Sequence, residues 1–180
     1  MLNVPNCITL LRLFLIPVII IALLEGHPRL ALLFFIVAGI SDALDGFLAR
    51  ALKQKTLLGA ILDPIADKLL INTIYILGAY LGLLPDWLAV IVISRDVMIL
   101  IGFLILTWHT RKIEVKPTLL SKGTTVAQIS TVVITLAHFS EGIKALACYL
   151  TAGLTIVSGM HYLFLGLKML EGNKKGERPA

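Results

Sequence analysis

The chain has 180 residues, of which 58% are hydrophobic and 15% are charged, and its mean hydropathy is +0.93. A soluble domain is about 45–50% apolar and about 25% charged, so this composition excludes an ordinary soluble globule as well as disordered, collagen-like and coiled-coil chains. The net charge of +5 is compatible with nucleic-acid binding, but the distribution of the basic residues along the chain indicates a membrane surface instead.

Six apolar stretches are each long enough to cross a bilayer, whose hydrocarbon core of about 30 Å requires roughly 20 apolar residues. In chain order they cover approximately residues 7–24, 29–48, 58–83, 86–108, 121–139 and 143–168. The sequence therefore predicts an all-α integral membrane protein, a six-transmembrane-helix bundle. We expect one domain over residues 1–171, followed by a polar cytoplasmic tail at 172–180.

Lysine and arginine are unevenly distributed between the two ends of the predicted bundle. Ten of them follow the second, fourth and sixth stretches, whereas only Arg29 and Lys144 lie near the connections at the other end. Loops rich in Lys and Arg stay in the cytoplasm, so we expect both termini to be cytoplasmic.

Four of the six aspartates fall within 26 residues, at Asp42, Asp45, Asp63 and Asp67. In a soluble protein such acids would indicate a solvated helix face, but these acids lie in span segments, where an ionised carboxylate is costly. The spacings i, i+3 and i, i+4 place each pair on one helix face. A short connection makes the two helices antiparallel neighbours, so the four carboxylates can converge.

Four carboxylates at one place cannot all remain ionised without a cation. Oxygen ligands with no nearby His or Cys suit Mg²⁺ or Mn²⁺, and four aspartates can hold two divalent ions, an arrangement typical of phosphoryl transfer. Gly46 and Gly59 allow a ligand to approach the backbone, although either is also compatible with a helix contact. Arg50 can reach phosphate oxygens, or anchor the helix at the cytoplasmic surface.

Together these residues form the pattern Asp42-x2-Asp45-Gly46-x2-Ala49-Arg50-x8-Gly59-x3-Asp63-x3-Asp67. The pattern resembles the signature of the CDP-alcohol phosphotransferase family of membrane enzymes that make phospholipids, and all eight fixed positions match. The resemblance implies a six-helix bundle, usually homodimeric, with CDP-diacylglycerol and an alcohol as substrates. In a chain of this kind it also implies a bacterial inner membrane location, with the active site facing the cytoplasm.

The resemblance further implies a role for each matching residue. Asp42, Asp45, Asp63 and Asp67 would hold the two ions, and Asp67 would also be the general base. The residues that would bind the CDP moiety are Asn6, Thr9, Gly46, Ala49, Arg50 and Gly59.

Arg95 in the fourth span and Lys122 at the start of the fifth are further candidate cations. An ionisable residue within a span is by default a functional candidate, so we expect them to bind the acceptor. The alternative is that Arg95 pairs with Asp96 or another carboxylate and only holds helices together.

Two branches of the family resemble different parts of the chain. Phosphatidylglycerophosphate synthases resemble the chain at Pro5-Asn6-x-Ile8-Thr9-x2-Arg12 and at Leu62 to Lys68. Cardiolipin synthases resemble it at Ile93 to Met98 and at Lys116 to Lys122. Both act on a glycerol-type acceptor. We expect glycerol 3-phosphate to be the acceptor, with phosphatidylglycerol as the alternative.

Two other classes of protein compete with this interpretation. A small ion-coupled transporter could use acidic residues in six spans, but transporters tend to have internal repeats and broken helices, which this sequence lacks. A membrane scaffold without catalytic activity would leave the four clustered carboxylates unexplained.

Overall fold

The computed structural model describes residues 4–52, 57–109 and 119–176, with side chains placed over 11–41, 68–101 and 119–165. The residues in these ranges form helices and turns and no strand. The helices are α1 (Val4–Leu24), α2 (Pro28–Leu52), α3 (Leu57–Tyr80), α4 (Asp86–His109), α5 (Leu119–Leu136) and α6 (Glu141–Gly176). The prediction of an all-α chain with six long helices is therefore confirmed.

The turn between α1 and α2 shows why these helices end where they do. Gly26 has φ +74°, a conformation that glycine adopts without a steric penalty, and the N–H of His27 donates to the Ala22 carbonyl at 2.8 Å. Helix α2 begins at Pro28, whose fixed φ suits the first helical position. An N–H at this position has no acceptor within the helix, so the absence of an N–H in proline costs no hydrogen bond.

Several helix ends differ from the ends of the predicted apolar stretches by three residues or more. Helix α3 ends at Tyr80 instead of 83, because Gly82 has φ +69° and the N–H groups of Leu83 and Leu84 turn back to the Gly78 carbonyl. Helix α5 ends at Leu136 instead of 139, where His138 has φ +57°. Apolarity continues through both turns, so it does not mark these ends. Helix α6 continues to Gly176, which places the start of the predicted polar tail in a helix.

The helices pack around a shared apolar core. Helix α1 packs against α2 and α3, α3 against α4, α4 against α6, and α6 against α5, while α5 also contacts α2 and α3. The core includes the fully or almost fully buried side chains Ile19, Ala31, Ile74, Tyr75, Leu88, Val92, Val132 and Leu136. This closed arrangement brings polar residues of α3, α4, α5 and α6 together in the bundle interior.

Many large apolar side chains point away from this core. Phe14 is 71% exposed and Phe164 is 76% exposed, which would be unfavourable in water. Within the described ranges, two segments are long and apolar enough to cross a membrane, Leu119–Leu136 and Glu141–Leu165, and one third of an 18-residue stretch in each is buried. Shorter apolar helical segments occur at Leu11–Leu24, Pro28–Ser41 and Lys68–Tyr80.

Candidate active site

The eight-residue acidic motif lies on two consecutive helices. Its first five positions belong to the C-terminal half of α2, and its last three belong to the N-terminal half of α3. Because five residue steps separate Leu52 from Leu57, the facing helix ends are at most about 18 Å apart. The structure does not describe the side chains of these eight residues or those of Asn6 and Thr9 in α1.

The four aspartates could meet only near this connection. Further along, in the part of the chain that the structure describes, α2 and α3 do not contact each other, and both pack against α1. Among the described side chains, no group of three or more His, Cys, Asp or Glu could hold a metal ion. Convergence of Asp42, Asp45, Asp63 and Asp67 therefore stays a prediction. An all-carboxylate set of this kind would suit a hard divalent cation.

Arg95 and Asp96 form a buried ion pair in the middle of α4. Arg95 Nη1 donates to Asp96 Oδ1 at 2.9 Å, and each side chain is only 4% exposed. Arg95 Nη2 donates to Ser121 Oγ of α5 and to Ser158 Oγ of α6, both at 2.8 Å. The guanidinium of Arg95 thus connects α4, α5 and α6 through three hydrogen bonds.

Helix α6 packs closely against Arg95 at Gly159. A Cβ atom on Gly159 would lie 3.6 Å from Arg95 Cγ and 3.2 Å from Met98 Cε, so the glycine lets α4 approach closely beside Ser158. The guanidinium carbon of Arg95 also lies 5.9 Å from the centre of the Tyr162 ring, a cation–π arrangement. These contacts support the interpretation of Arg95 as a structural tie.

Lys68 is the third charged group at this place, and no role was predicted for it from the sequence. It directly follows Asp67 in α3, and its Nζ donates to Asp96 Oδ1 at 2.7 Å. The Lys68 side chain is 37% exposed, whereas the carboxylate that it contacts is buried. The sequence did contain an indication of this contact, because Lys68 is followed by Leu69, Leu70 and Ile71 in an apolar helix, and a charge at such a place needs a partner or a function.

Lys122 differs from Arg95 in its surroundings. It lies in the first turn of α5, directly after the Ser121 that Arg95 contacts, and it is exposed. Arg95 of α4 therefore contacts the residue that precedes Lys122 in α5. Of the two, only Lys122 presents its cation to the surroundings of the bundle.

A stripe of buried polar side chains joins α5 to α6. Thr131 Oγ1 lies 2.8 Å from Thr151 Oγ1, Thr151 Oγ1 lies 3.1 Å from the Ala127 carbonyl, and Thr124 Oγ1 lies 3.2 Å from the Leu154 carbonyl. Small hydroxyl residues that bond across a helix pair are typical of membrane proteins, where apolar packing alone gives little attraction between helices. Helical spacing of the threonines in α5 could have indicated this contact.

One cavity lies far from the acidic motif. Its volume is about 650 Å³, and it is lined by Gly26, His27, Pro28, Arg29, Leu30 and His138. These residues lie at the N-terminal end of α2, whereas the motif lies towards the C-terminal end of this helix of 25 residues. The cavity is therefore not part of the candidate active site.

Comparisons with known proteins agree with the motif. The chain is 34% identical over 183 residues to the CDP-diacylglycerol–glycerol-3-phosphate 3-phosphatidyltransferase of Bacillus subtilis, and the match covers 90% of this chain and 94% of the relative. It is 33% identical over 191 residues to the human cardiolipin synthase (CMP-forming), with 94% of this chain and 63% of the relative covered. The chain thus spans slightly less than two thirds of the human enzyme's length.

The family model for CDP-alcohol phosphatidyltransferase matches residues 2–157, a range that includes the acidic motif, Arg95, Asp96 and Lys122. This range covers most of the chain, and the Bacillus subtilis relative is matched over nearly its whole length. The chain therefore belongs to the CDP-alcohol phosphatidyltransferase family.

Proposed function

We propose that the protein is an integral membrane enzyme with six spans, both termini in the cytoplasm, and two chains in the functional unit. Helices of 21 to 36 residues, apart from the 18 of α5, would be about 30 Å long or longer, which matches the hydrocarbon core. The exposed apolar side chains support a lipid-facing surface. The excess of Lys and Arg near the motif end supports its cytoplasmic location. The homodimer rests on the family resemblance alone.

Cysteine labelling in intact cells tests this topology. In a variant whose two native cysteines are replaced, we expect Gly142→Cys to react with an impermeant maleimide added outside. We expect Lys53→Cys to react only after the membrane is permeabilised. The opposite pattern would reverse the proposed orientation.

The proposed reaction is transfer of a phosphatidyl group from CDP-diacylglycerol to glycerol 3-phosphate with release of CMP. The observation that carries it is the complete acidic motif on the adjoining halves of α2 and α3. The relative from Bacillus subtilis, matched over 94% of its length, supports glycerol 3-phosphate as acceptor, because that enzyme is named for this transfer.

The motif residues have separate tasks in this proposal. Asp42, Asp45, Asp63 and Asp67 would hold two Mg²⁺ or Mn²⁺ ions, which supply positive charge at the pyrophosphate of the donor. Asn6, Thr9, Gly46, Ala49, Arg50 and Gly59 would bind the CDP moiety. Asp67 would accept the proton of the acceptor hydroxyl while that oxygen attacks the phosphorus of the phosphatidyl group. The bond to CMP then breaks, and CMP leaves with the electron pair.

Acceptor recognition is proposed for Lys122, whereas Arg95 acts mainly within the protein. Lys122 is exposed, so its ammonium group is accessible to a phosphate. Both Nη atoms of Arg95 already donate to Asp96, Ser121 and Ser158. Arg95 would therefore support the acceptor site by fixing Ser121, the residue before Lys122.

Cardiolipin synthesis is the second candidate function. The human cardiolipin synthase matches 94% of the chain at 33% identity, close to the value for the bacterial relative. Its acceptor in this proposal would be phosphatidylglycerol, whose headgroup ends in glycerol.

Separate acceptors distinguish the two functions. The purified protein in detergent receives CDP-diacylglycerol, Mg²⁺ or Mn²⁺, and one of glycerol 3-phosphate, phosphatidylglycerol, inositol phosphate or serine. We expect CMP release and a new lipid with glycerol 3-phosphate. Turnover with phosphatidylglycerol alone would make the second function correct, and turnover with inositol phosphate or serine alone would contradict both.

Substitution of Lys122 tests its proposed role. We expect Lys122→Ala to raise the KM for glycerol 3-phosphate about 10-fold or more, because a charged hydrogen bond to phosphate is lost, and to leave the KM for CDP-diacylglycerol nearly unchanged. Lys144→Ala, at the other end of the bundle, serves as the control. A rise only in the KM for CDP-diacylglycerol would place Lys122 at the donor site.

A further inference from the structure

Lys68 occupies an unusual position for an exposed charge. It is the twelfth of the 24 residues of α3, so it lies at the middle of a helix that we propose to span the membrane. An ammonium group facing lipid at this depth would be costly, and ionisable residues within spans instead face the protein interior or a water-filled cavity. The 37% of the Lys68 side chain that is exposed is therefore placed more favourably beside water or a polar ligand than beside lipid.

The hydrogen bonds of Lys68 leave donors available. Its ammonium group has three N–H donors, and its one hydrogen bond in the described part of the chain goes to Asp96 Oδ1. This oxygen also accepts from Arg95 Nη1, and the buried carboxylate is thereby fixed from α4. Lys68 is thus held by a buried carboxylate that is itself hydrogen-bonded, and two of its N–H groups have no partner in the described part of the chain.

The chemistry of the site indicates which ligand fits. Lys68 directly follows Asp67, so the two residues are 1.5 Å apart along the axis of α3 and about 100° apart around it. Both substrates of the proposed reaction carry phosphate groups, and the ammonium group of a partly exposed lysine matches a phosphate oxygen.

We propose that Lys68 is a phosphate-binding residue of the active site and that Asp96 is the positioning residue that holds its ammonium group. This inference rests on the proposed function. The phosphate belongs either to the pyrophosphate of the donor or to the acceptor, and kinetics with each substrate varied in turn distinguish the two sources.

Lys68→Gln provides the main test. The variant should fold, because Asp96 keeps its ion pair with Arg95 when Lys68 is neutral. We expect the KM for one of the two substrates to rise about 10- to 100-fold, the range for a lost charge-assisted hydrogen bond, while the unfolding temperature changes little. Lys144→Gln is the matched control, because it removes a lysine from an ion pair with Glu141 at the other end of the bundle.

The outcomes separate binding from structure. A rise in the KM for CDP-diacylglycerol identifies the donor phosphate, and a rise in the KM for the acceptor identifies the acceptor phosphate. Wild-type KM values for both substrates, with or without a lower unfolding temperature, would overturn the proposal.

A binding measurement separates this proposal from the proposed function. CDP-diacylglycerol with Mg²⁺, glycerol 3-phosphate and phosphatidylglycerol are each tested for their effect on the unfolding temperature of wild-type protein and Lys68→Gln. Wild-type protein that releases no CMP would contradict the proposed function. A ligand-induced shift that is lost in Lys68→Gln would still support Lys68, and equal shifts in both proteins would overturn its role.

A double-mutant cycle tests the positioning role of Asp96. We expect Asp96→Asn to raise the same KM as Lys68→Gln and to have no further effect in the Lys68→Gln background. Equal effects in both backgrounds would show that Asp96 acts independently of Lys68. If Asp96→Asn does not fold, Asp96→Glu, which keeps the charge and moves the carboxylate, is measured in the same cycle.

Discussion

Asp67→Asn is expected to lower CMP release by about 10²- to 10⁴-fold, the range for loss of a general base, and to leave the protein folded. The amide keeps the size of the side chain and removes both its basicity and its negative charge. If Asp67 also holds a metal ion, the loss will be at the upper end of this range. CMP release with saturating CDP-diacylglycerol, acceptor and Mg²⁺ or Mn²⁺ measures the effect.

Asp86→Asn is the matched control for this substitution. Asp86 is an exposed aspartate in the first turn of α4, outside the motif, so its variant should retain wild-type turnover. Turnover of Asp67→Asn close to the wild-type rate would remove Asp67 as the base. In that case the metal ions that the other three aspartates would hold would have to activate the acceptor hydroxyl.

Arg95→Met is expected to destabilise the protein by about 3–5 kcal/mol, which corresponds to a decrease in unfolding temperature on the order of 10 °C. The substitution removes the hydrogen bonds to Ser121 and Ser158 and leaves the buried Asp96 with Lys68 as its only described cationic partner. Thermal unfolding in detergent measures the loss, and Lys144→Met, which breaks a more exposed ion pair, should cause a much smaller change.

The same variant distinguishes the two interpretations of Arg95. A structural tie predicts a lower unfolding temperature, with the KM for the acceptor close to wild type in the folded fraction at low temperature. Direct binding of the acceptor predicts the reverse, an unchanged unfolding temperature and a large rise in that KM. The second result would contradict the role that the contacts of Arg95 support.

The sequence was sufficient to predict the helices and the motif. Long apolar stretches and the turn residues between them predicted the positions of all six helices. Gly26 and Pro28, for example, impose the turn between α1 and α2 through backbone geometry alone. Spacing also identified the acidic motif. Apolar residues that continue past a helix end, as at Leu83 and Leu84, carry no boundary signal, and this is why α3 was predicted to be too long.

The ion-pair cluster could be anticipated only in part. A pairing of Arg95 with Asp96 was one of the two alternatives from the sequence, but adjacent residues on a helix point in different directions, so their spacing alone does not decide between the alternatives. The contact between Lys68 and Asp96 joins residues 28 positions apart and depends on the packing of α3 against α4. Such partners follow from the arrangement of the helices in the bundle, which a single sequence does not encode in any local pattern.

If the residues of the acidic motif transfer a phosphatidyl group with release of CMP, the reaction should require a divalent metal ion. Purified wild-type protein in detergent is given CDP-diacylglycerol and glycerol 3-phosphate, and CMP and the lipid product are quantified together, with Mg²⁺ or Mn²⁺ and with excess EDTA. We expect CMP and phosphatidylglycerol phosphate in equal amounts, no product in EDTA, and recovery when the metal is restored. Absence of CMP with either metal, for both glycerol 3-phosphate and phosphatidylglycerol as acceptors, would contradict the proposed function.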